Sequence, residues 1–481
     1  MLKKRRPTIG ERSLMDHKKK HSLFYWMVLF GLVFTSACTA VKTELSPSDQ
    51  ISNLDETSQN VQQNIMTDTI NQQGAEMNTE MIKSDLPRIG VENLPPETVS
   101  NLVLANNQFA FDFYSQIRSK YTNENIVISP YSINLSLAMV SGSASGQTQT
   151  EMHQVLHDQD LGDQIYPAWN NLSAEIESRA NSPKTQEAGF DLKITNAIWG
   201  QAGYSFEQTY LNLLAKYYGA GLRLADFKNE PETARLQIND WVAEQTNQHI
   251  MDLIPDGAIH PLTRLAVINA VYFKAPWRFP FQSENTNQEI FFQRNGETVE
   301  VPMMHQTQDL SYVKTEELSM VVFPYSDGKL EMVFIQPSAD KFDVFEQELT
   351  LQTLKSLREQ QKWGSVRFSL PRYQFSTDVN LSDALIEMGM PSAFDPDRAD
   401  FSNITKEEQI YIDAALHKAF IDVNEEGTEA AAATAILLAG KGMPAKEPVE
   451  INLNSPFFFI LQDRETGVIL FYGRVMNPLE D

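Results

Sequence analysis

A single cysteine, Cys38, is all that 481 residues contain, so no internal disulfide can form, and in an oxidising compartment that thiol must be buried, paired with another chain or modified. Basic residues are also scarce. Lys and Arg number 39 against 63 Asp and Glu, for a formal net charge of -24, and no basic cluster occurs beyond the first residues. That balance argues against nucleic acid or a heparin-like polyanion as partner, because such binding draws its affinity from clustered Lys and Arg. The eight histidines are scattered, with no His-Glu-x-x-His pair and no second cysteine, so a metal site has little support. "GSASG" around Ser145 lacks the Gly-x-Ser-x-Gly spacing of a nucleophile turn and reads as a helix terminus. "AGKGMP" has no glycine at the distance a phosphate loop needs, and no Ser or Thr follows Lys441 to hold magnesium. No internal repeat is present. An enzyme is not supported, and no cofactor is expected.

What is present begins with an unusual N-terminus. "MLKKRRPTIGERSLMDHKKKHS" is strongly basic, and "LFYWMVLFGLVFTSA" adds about fifteen mostly apolar residues, the layout of a secretory signal rather than a full spanning helix. Ser36 and Ala37 stand directly before Cys38. The arrangement resembles a bacterial lipoprotein signal over residues 1–37, which implies lipidation of Cys38; an uncleaved membrane anchor is the other reading. Either one places the bulk of the chain outside the cytoplasm, extracellular or in the cell envelope, at a membrane surface. Residues 38–100 are rich in Gln, Asn, Ser, Thr, Asp and Glu without regular apolar periodicity, and read as a flexible polar tether or a propeptide.

From residue 101 to 481 the pattern is that of a folded domain. "LVLANNQFAFDFYSQIRSKY" repeats apolar residues near helical spacing, and "NIVIS" reads as a buried strand. "SPYSINLSLAMVSGSASG" reads as a helix capped by Ser129 with Pro130 in its first turn. "TQTEMHQVL" carries a capping-box spacing from Thr148 to Glu151. Helices are expected at "FEQTYLNLLAKYYG" and "ARLQINDWVAEQTNQHI", and strands at "ITNAIWGQ" and "RLAVINAVYF". From Glu289 onward strands dominate, among them "VRFSLPRYQF" and "FFFILQDRETGVILFYGRV", with one intervening helix, "LSDALIEMG". Helices first and strands later signal an α+β fold with large antiparallel sheets.

"EEGTEAAAATAILLAGKG", Glu425–Gly442, is the stretch that carries function. Read as a strand, Thr428, Ala430, Ala432, Thr434, Ile436 and Leu438 form one face without a charge; the other holds Glu429, then Ala431, Ala433, Ala435, Leu437 and Ala439. A surface loop has no need of a charge-free face. A central strand does, yet alanine is depleted in strands, so the segment suits two states: an exposed loop and an inserted strand.

These residues closely resemble the hinge of the serpin reactive-centre loop. "NIVISPYSINLSLAMVSGSASGQT", "ITNAIWGQ", "INAVYFKAPW", "LPRYQF", "LHKAFIDVNEEGTEAAAATA", "SPFFFIL" and "GVILFYGRVMNP" also resemble serpin blocks, in serpin order, from about Leu102 to the end. The resemblance implies the serpin fold with an exposed loop, and an irreversible suicide-substrate inhibitor of serine endopeptidases, expected as a monomer. It implies that the protease attacks the loop through its own Ser-His-Asp machinery, and that the cut loop enters the main sheet as a central strand before the acyl bond is hydrolysed. The native fold would then be metastable and kinetically trapped. Matching positions puts the hinge at Glu425, Glu426, Gly427, Thr428, Glu429, Ala430, Ala431, Ala432 and Ala433, and the scissile bond at Lys441-Gly442, with Gly440 or Met443 as registers one step or more away. A lysine before the bond suits a trypsin-like protease, which would be held as a covalent acyl complex. Ser129, Pro130, Ser132, Asn269 and His417 fall on the family's shutter under the sheet. Trp277 falls on the breach, where insertion begins, and suits a plain core aromatic equally well. The alternative is a non-inhibitory member serving as a binding protein or surface scaffold. Such members carry bulky, charged or proline residues in the hinge, which the run Ala430–Ala433 lacks. A glycosaminoglycan cofactor is not expected, since "AEIESRANSPKTQEAG" is short and roughly neutral.

Overall fold

The computed structural model describes residues 80–180, 191–326, 328–428 and 447–480. Cys38, the hinge residues Glu429 and Ala430–Ala433, and the bond Lys441-Gly442 lie outside the described residues. Sixteen strands are described: β1 (Met81–Ile82), β2 (Ile126–Ile128), β3 (Asp191–Gln201), β4 (Leu222–Ala225), β5 (Leu265–Pro276), β6 (Asn287–Phe292), β7 (Thr298–Lys314), β8 (Leu318–Pro324), β9 (Leu330–Pro337), β10 (Lys362–Pro371), β11 (Tyr373–Asn380), β12 (Ala414–Val423), β13 (Gly427–Thr428), β14 (Val449–Asn452), β15 (Phe457–Asp463) and β16 (Ile469–Val475). The helices that matter below are α1 (Pro96–Ile117), α2 (Pro130–Ser141), α3 (Gly146–Val155), α4 (Ile165–Ala180), α5 (Gln208–Leu213), α6 (Pro231–Gln245), α7 (Phe342–Glu348), α8 (Leu351–Glu359) and α9 (Leu381–Met388).

Two mixed sheets organise these elements. The seven-stranded sheet runs β1-β4-β3-β5-β13-β12-β11, and the nine-stranded one runs β14-β10-β7-β8-β9-β15-β16-β2 with β6 on β7. β5, "LAVINAVYFKAP", is buried at nearly every position because both of its faces are covered, the usual reason a strand reads as a continuous apolar run. Its odd-numbered residues Val267, Val271, Phe273 and Ala275 face the main core. Its even-numbered ones, Ala266, Ile268, Ala270 and Tyr272, face a second cluster formed with Ile238 and Val242 of α6. β12 follows the same alternation: Ala415, Ala419 and Ile421 lie on the core side, Leu416 and Phe420 on the α6 side. The two strands pair in parallel from Ala414↔Ala266 to Phe420↔Tyr272.

Four local expectations need correction. Packed structure starts before residue 101: β1 pairs with β4 (Met81↔Arg223, Ile82↔Leu222), Arg88 reaches Asn170 and Glu177, and α1 begins at Pro96. Hydrogen bonds to α4 and to residues 212–219, together with the pairing on β4, hold this stretch rather than a periodic apolar face, so it leaves no apolar periodicity to read. Thr148 does not open a helix; α3 starts at Gly146, Thr148 accepts from the Asp400 amide, and Glu151 turns outward from the helix to accept from Ser392. Three helices exist where one was expected between the later strands, because α7 and α8 are short, the second capped by the Thr350 hydroxyl on the Thr353 amide. "VRFSLPRYQF" is two strands in two sheets. Pro371, which has no N–H for a ladder, ends β10 beside β7, and after Arg372 the chain continues as β11 beside β12.

Candidate functional site

The slot between β5 and β12 carries polar chemistry at two levels. At mid-height, Asn196 of β3, Asn269 of β5 and His417 of β12 occupy one rung, paired as Asn196↔Asn269 and Asn269↔His417. These side chains are largely buried, so their polar groups must find partners within the protein. The imidazole Nε2 of His417 accepts from the Ser129 amide (3.1 Å), which leaves Nδ1 carrying the proton toward Asn269 Oδ1. Asn269 Nδ2 donates to Ser132 Oγ (2.6 Å) and Asn196 Oδ1 (2.5 Å), and Ser132 Oγ donates to Asn196 Oδ1 (2.8 Å). The Ser129 hydroxyl caps α2 by accepting from the Ser132 amide and donates to the Leu470 carbonyl of β16. Pro130 at the first helical position needs no amide partner. Complete burial pushes the His417 pKa down to about 3, so the ring is neutral.

At the upper end, β5 and β12 no longer touch. β13 lies between them, antiparallel to both, with Gly427↔Pro276 and Thr428↔Ala275 on one side and Thr428↔Val423 on the other. Gly427 is required by closeness: a Cβ there would stand 2.1 Å from the Ala275 carbonyl oxygen. Thr428 is fully buried and its hydroxyl bonds that of Tyr325 (2.8 Å). Trp277 stacks on Tyr325 (centroids 4.5 Å, 22°), its amide donates to the Glu426 carbonyl (2.8 Å) and its indole N–H to the Asn424 carbonyl (3.0 Å). Trp277 is thus both a core aromatic and a clamp on the turn that precedes the loop. Burial pushes the Glu425 carboxyl up, but hydrogen bonds from Arg372 and Thr286 outweigh it and hold the group below the usual carboxylate range.

The structure therefore brings Ser129, Ser132, Asn269 and His417 into one hydrogen-bonded group, with Pro130 shaping the helix that delivers two of them. Glu425, Glu426, Gly427, Thr428 and Trp277 meet at the upper end. Sequence reasoning missed Asn196, Arg372, Thr286 and Tyr325. Asn196 left one signal, an amide between the apolar residues Ile194 and Ile198 on one face of a strand; the other three sit far from the loop in sequence and left none.

Two parallel strands joined at their lower halves and parted above by the start of a loop, within a seven-stranded sheet beside a nine-stranded one, define the fold class. The chain belongs to the serpin family: residues 104–478 match the family described as Serpin (serine protease inhibitor). It is 39% identical over 396 residues to an uncharacterized serpin-like protein of Thermococcus kodakarensis, covering 82% of this chain and 90% of that one. To antithrombin-III of Mus musculus it is 33% identical over 402 residues, 81% and 85% of the two chains. The crystal structure of tengpin, a thermophilic serpin, in its native state superposes with a TM-score of 0.71 at 28% identity, covering 82% of this chain and 97% of that one.

Proposed function

We propose that this protein is an irreversible inhibitor of trypsin-like serine endopeptidases, cleaved after Lys441 and acting by insertion of its loop between β5 and β12. The observation that carries this reading is β13. Were that register extended downward, each step along the loop past Thr428 would meet one step back from Ala275 on β5 and from Val423 on β12. Continued in that register, Ala430 meets Phe273 and Ile421, Ala432 meets Val271 and Ala419, and Thr434 arrives between Asn269 and His417. The charge-free face of the loop falls on the core side, where Thr428 already points. Thr434 brings a hydroxyl to the one rung where separating the strands would break a hydrogen bond between Asn269 and His417, and a hydroxyl can both donate and accept. The loop is thus a built partner for the slot. The trapped protease would be drawn along with the Lys441 acyl bond as the strand enters, and the Lys441 side chain suits a specificity pocket that ends in a carboxylate.

Incubation with trypsin should give an SDS-stable covalent complex, and the cleaved chain should melt well above the intact one. Thr428→Arg should convert the inhibitor to a substrate, because a guanidinium would have to replace a fully buried hydroxyl beside Tyr325. Loop cleavage with trypsin fully active afterwards, in the unchanged protein, overturns the proposal. We also propose that Cys38 is lipidated and holds the inhibitor at an extracytoplasmic membrane surface; Cys38→Ala should then move the protein from the membrane to the soluble fraction.

A further inference from the structure

On the outer face of the same sheet, three rings meet where β5 and β12 part. Tyr272 and Phe420 are partners on the last rung of the parallel ladder, with ring centroids 6.3 Å apart. His249, in the loop that follows α6, lies flat on Tyr272 (4.4 Å, 6°) and also reaches Phe420 (5.3 Å, 31°). One side chain from outside the sheet thus touches both strands at the fork.

The backbone that delivers it is strained. Asn247 and Gln248 both adopt left-handed conformations, φ 52° and 66°, a region that Asn tolerates and Gln seldom enters. The surroundings impose this geometry: the Gln248 amide donates to the Ala243 carbonyl (2.7 Å), and the Thr246 hydroxyl donates to the Val242 carbonyl and accepts from the Ile250 amide. Residues held in such conformations persist where structure around them over-determines the position, and here the position gained is that of the His249 ring.

We infer that His249 is a positioning residue for sheet opening, a clasp that joins β5 to β12 at the fork and must release one of them before the loop can advance. This rests on the loop-insertion reading above. The register makes the step specific: three residues beyond Thr428, Ala431 reaches the rung that Tyr272 and Phe420 now share. A strand placed between two neighbours moves them apart by about 4.8 Å, which takes the two rings to about 11 Å, beyond the roughly 4.5–7 Å range of aromatic contact. His249 then keeps at most one of these two ring contacts. The residue that passes beneath it belongs to a run of four alanines, Ala430–Ala433, and a methyl is the smallest side chain that still fills the rung. The clasp therefore sets both the readiness of the sheet to open and a size limit on the third residue that enters after Thr428.

The test uses the full chain and a synthetic peptide spanning residues 428–438, with incorporation followed by native electrophoresis and by the melting temperature of the filled form. His249→Ala should take up the peptide on the order of 3- to 10-fold faster than the unchanged protein, the factor that loss of one aromatic contact corresponds to. His249→Phe should restore the slower rate. His249→Ala should lower the melting of the empty form by more than that of the filled form, whereas a contact that is merely structural would lower both equally. A peptide carrying Ala431→Phe should be slowed in the unchanged protein and less so in His249→Ala. Phe420→Leu reaches the same contact from β12 if the histidine variant fails to fold. Uptake at one rate by His249→Ala, Phe420→Leu and the unchanged protein overturns the inference alone. A peptide that enters none of them removes the loop-insertion reading and the inference together.

Discussion

Lowering the pH should loosen the polar rung through one residue. His417 is fully buried, its Nε2 accepts from the Ser129 amide, and burial pushes its pKa down to about 3 from an ordinary value of about 6.5. Between those values the unfolded chain binds a proton that the native state refuses. Stability is therefore complete above about pH 6.5 and falls as the pH drops toward 3. At pH 5 the loss is about 2 kcal/mol, being 1.5 pH units at about 1.36 kcal/mol each. For a folded part of about 400 residues, with an unfolding entropy of about 2.1 cal/mol/K per residue, that corresponds to roughly 2–3 °C. His417→Gln keeps a donor and an acceptor but does not titrate. Melting should be followed for both proteins at pH 7.5 and pH 5.0 at one scan rate, so that the midpoints stay comparable even if unfolding is irreversible. The downward shift should be about 2–3 °C larger for the unchanged protein. Equal shifts would refute the account of a neutral histidine locking β12 to the start of α2.

Two further tests address the upper end of the slot. Glu425→Lys sets an ammonium against Arg372 where a nearly buried carboxylate now accepts from it, and should cost about 2–3 kcal/mol, between the values for exposed and buried pairs because Arg372 is half exposed; adding Arg372→Glu should recover at least half of the lost melting temperature, and no recovery would sink the pairing. Gly427→Ala puts a Cβ against the Ala275 carbonyl and should expel β13, seen as faster amide hydrogen exchange at Trp277, whose N–H now bonds the Glu426 carbonyl; unchanged exchange there would mean that the wedge is not held by this contact.

The fold class and the capped helix at Ser129 were legible because each rests on a local pattern, alternation in one case and an N-cap in the other. The family blocks added Asn269, His417 and Trp277. Other parts depend on distance along the chain and left no local trace. Arg372 closes on Glu425 across 53 residues, and Tyr325 meets Thr428 across 103. α4, whose Trp169, Leu172 and Ile176 are buried along one face, was hidden in a polar stretch because its outer side is charged. Arg372 itself sits in a run that reads as one strand, and only the separate partners of β10 and β11 reveal that the chain changes sheets there.

β1 has a consequence for how the molecule meets others of any kind. A sheet of seven strands has two rims, and an uncovered rim offers backbone donors and acceptors to any extended chain that drifts past. Two residues, Met81 and Ile82, occupy that row on β4, and the Ile82 carbonyl comes so close that a Cβ on Gly221 would lie 2.7 Å from it. The rim at Leu222 and Arg223 is thus taken by a strand of two residues, which offers a passing chain far less backbone than the four residues of β4 would.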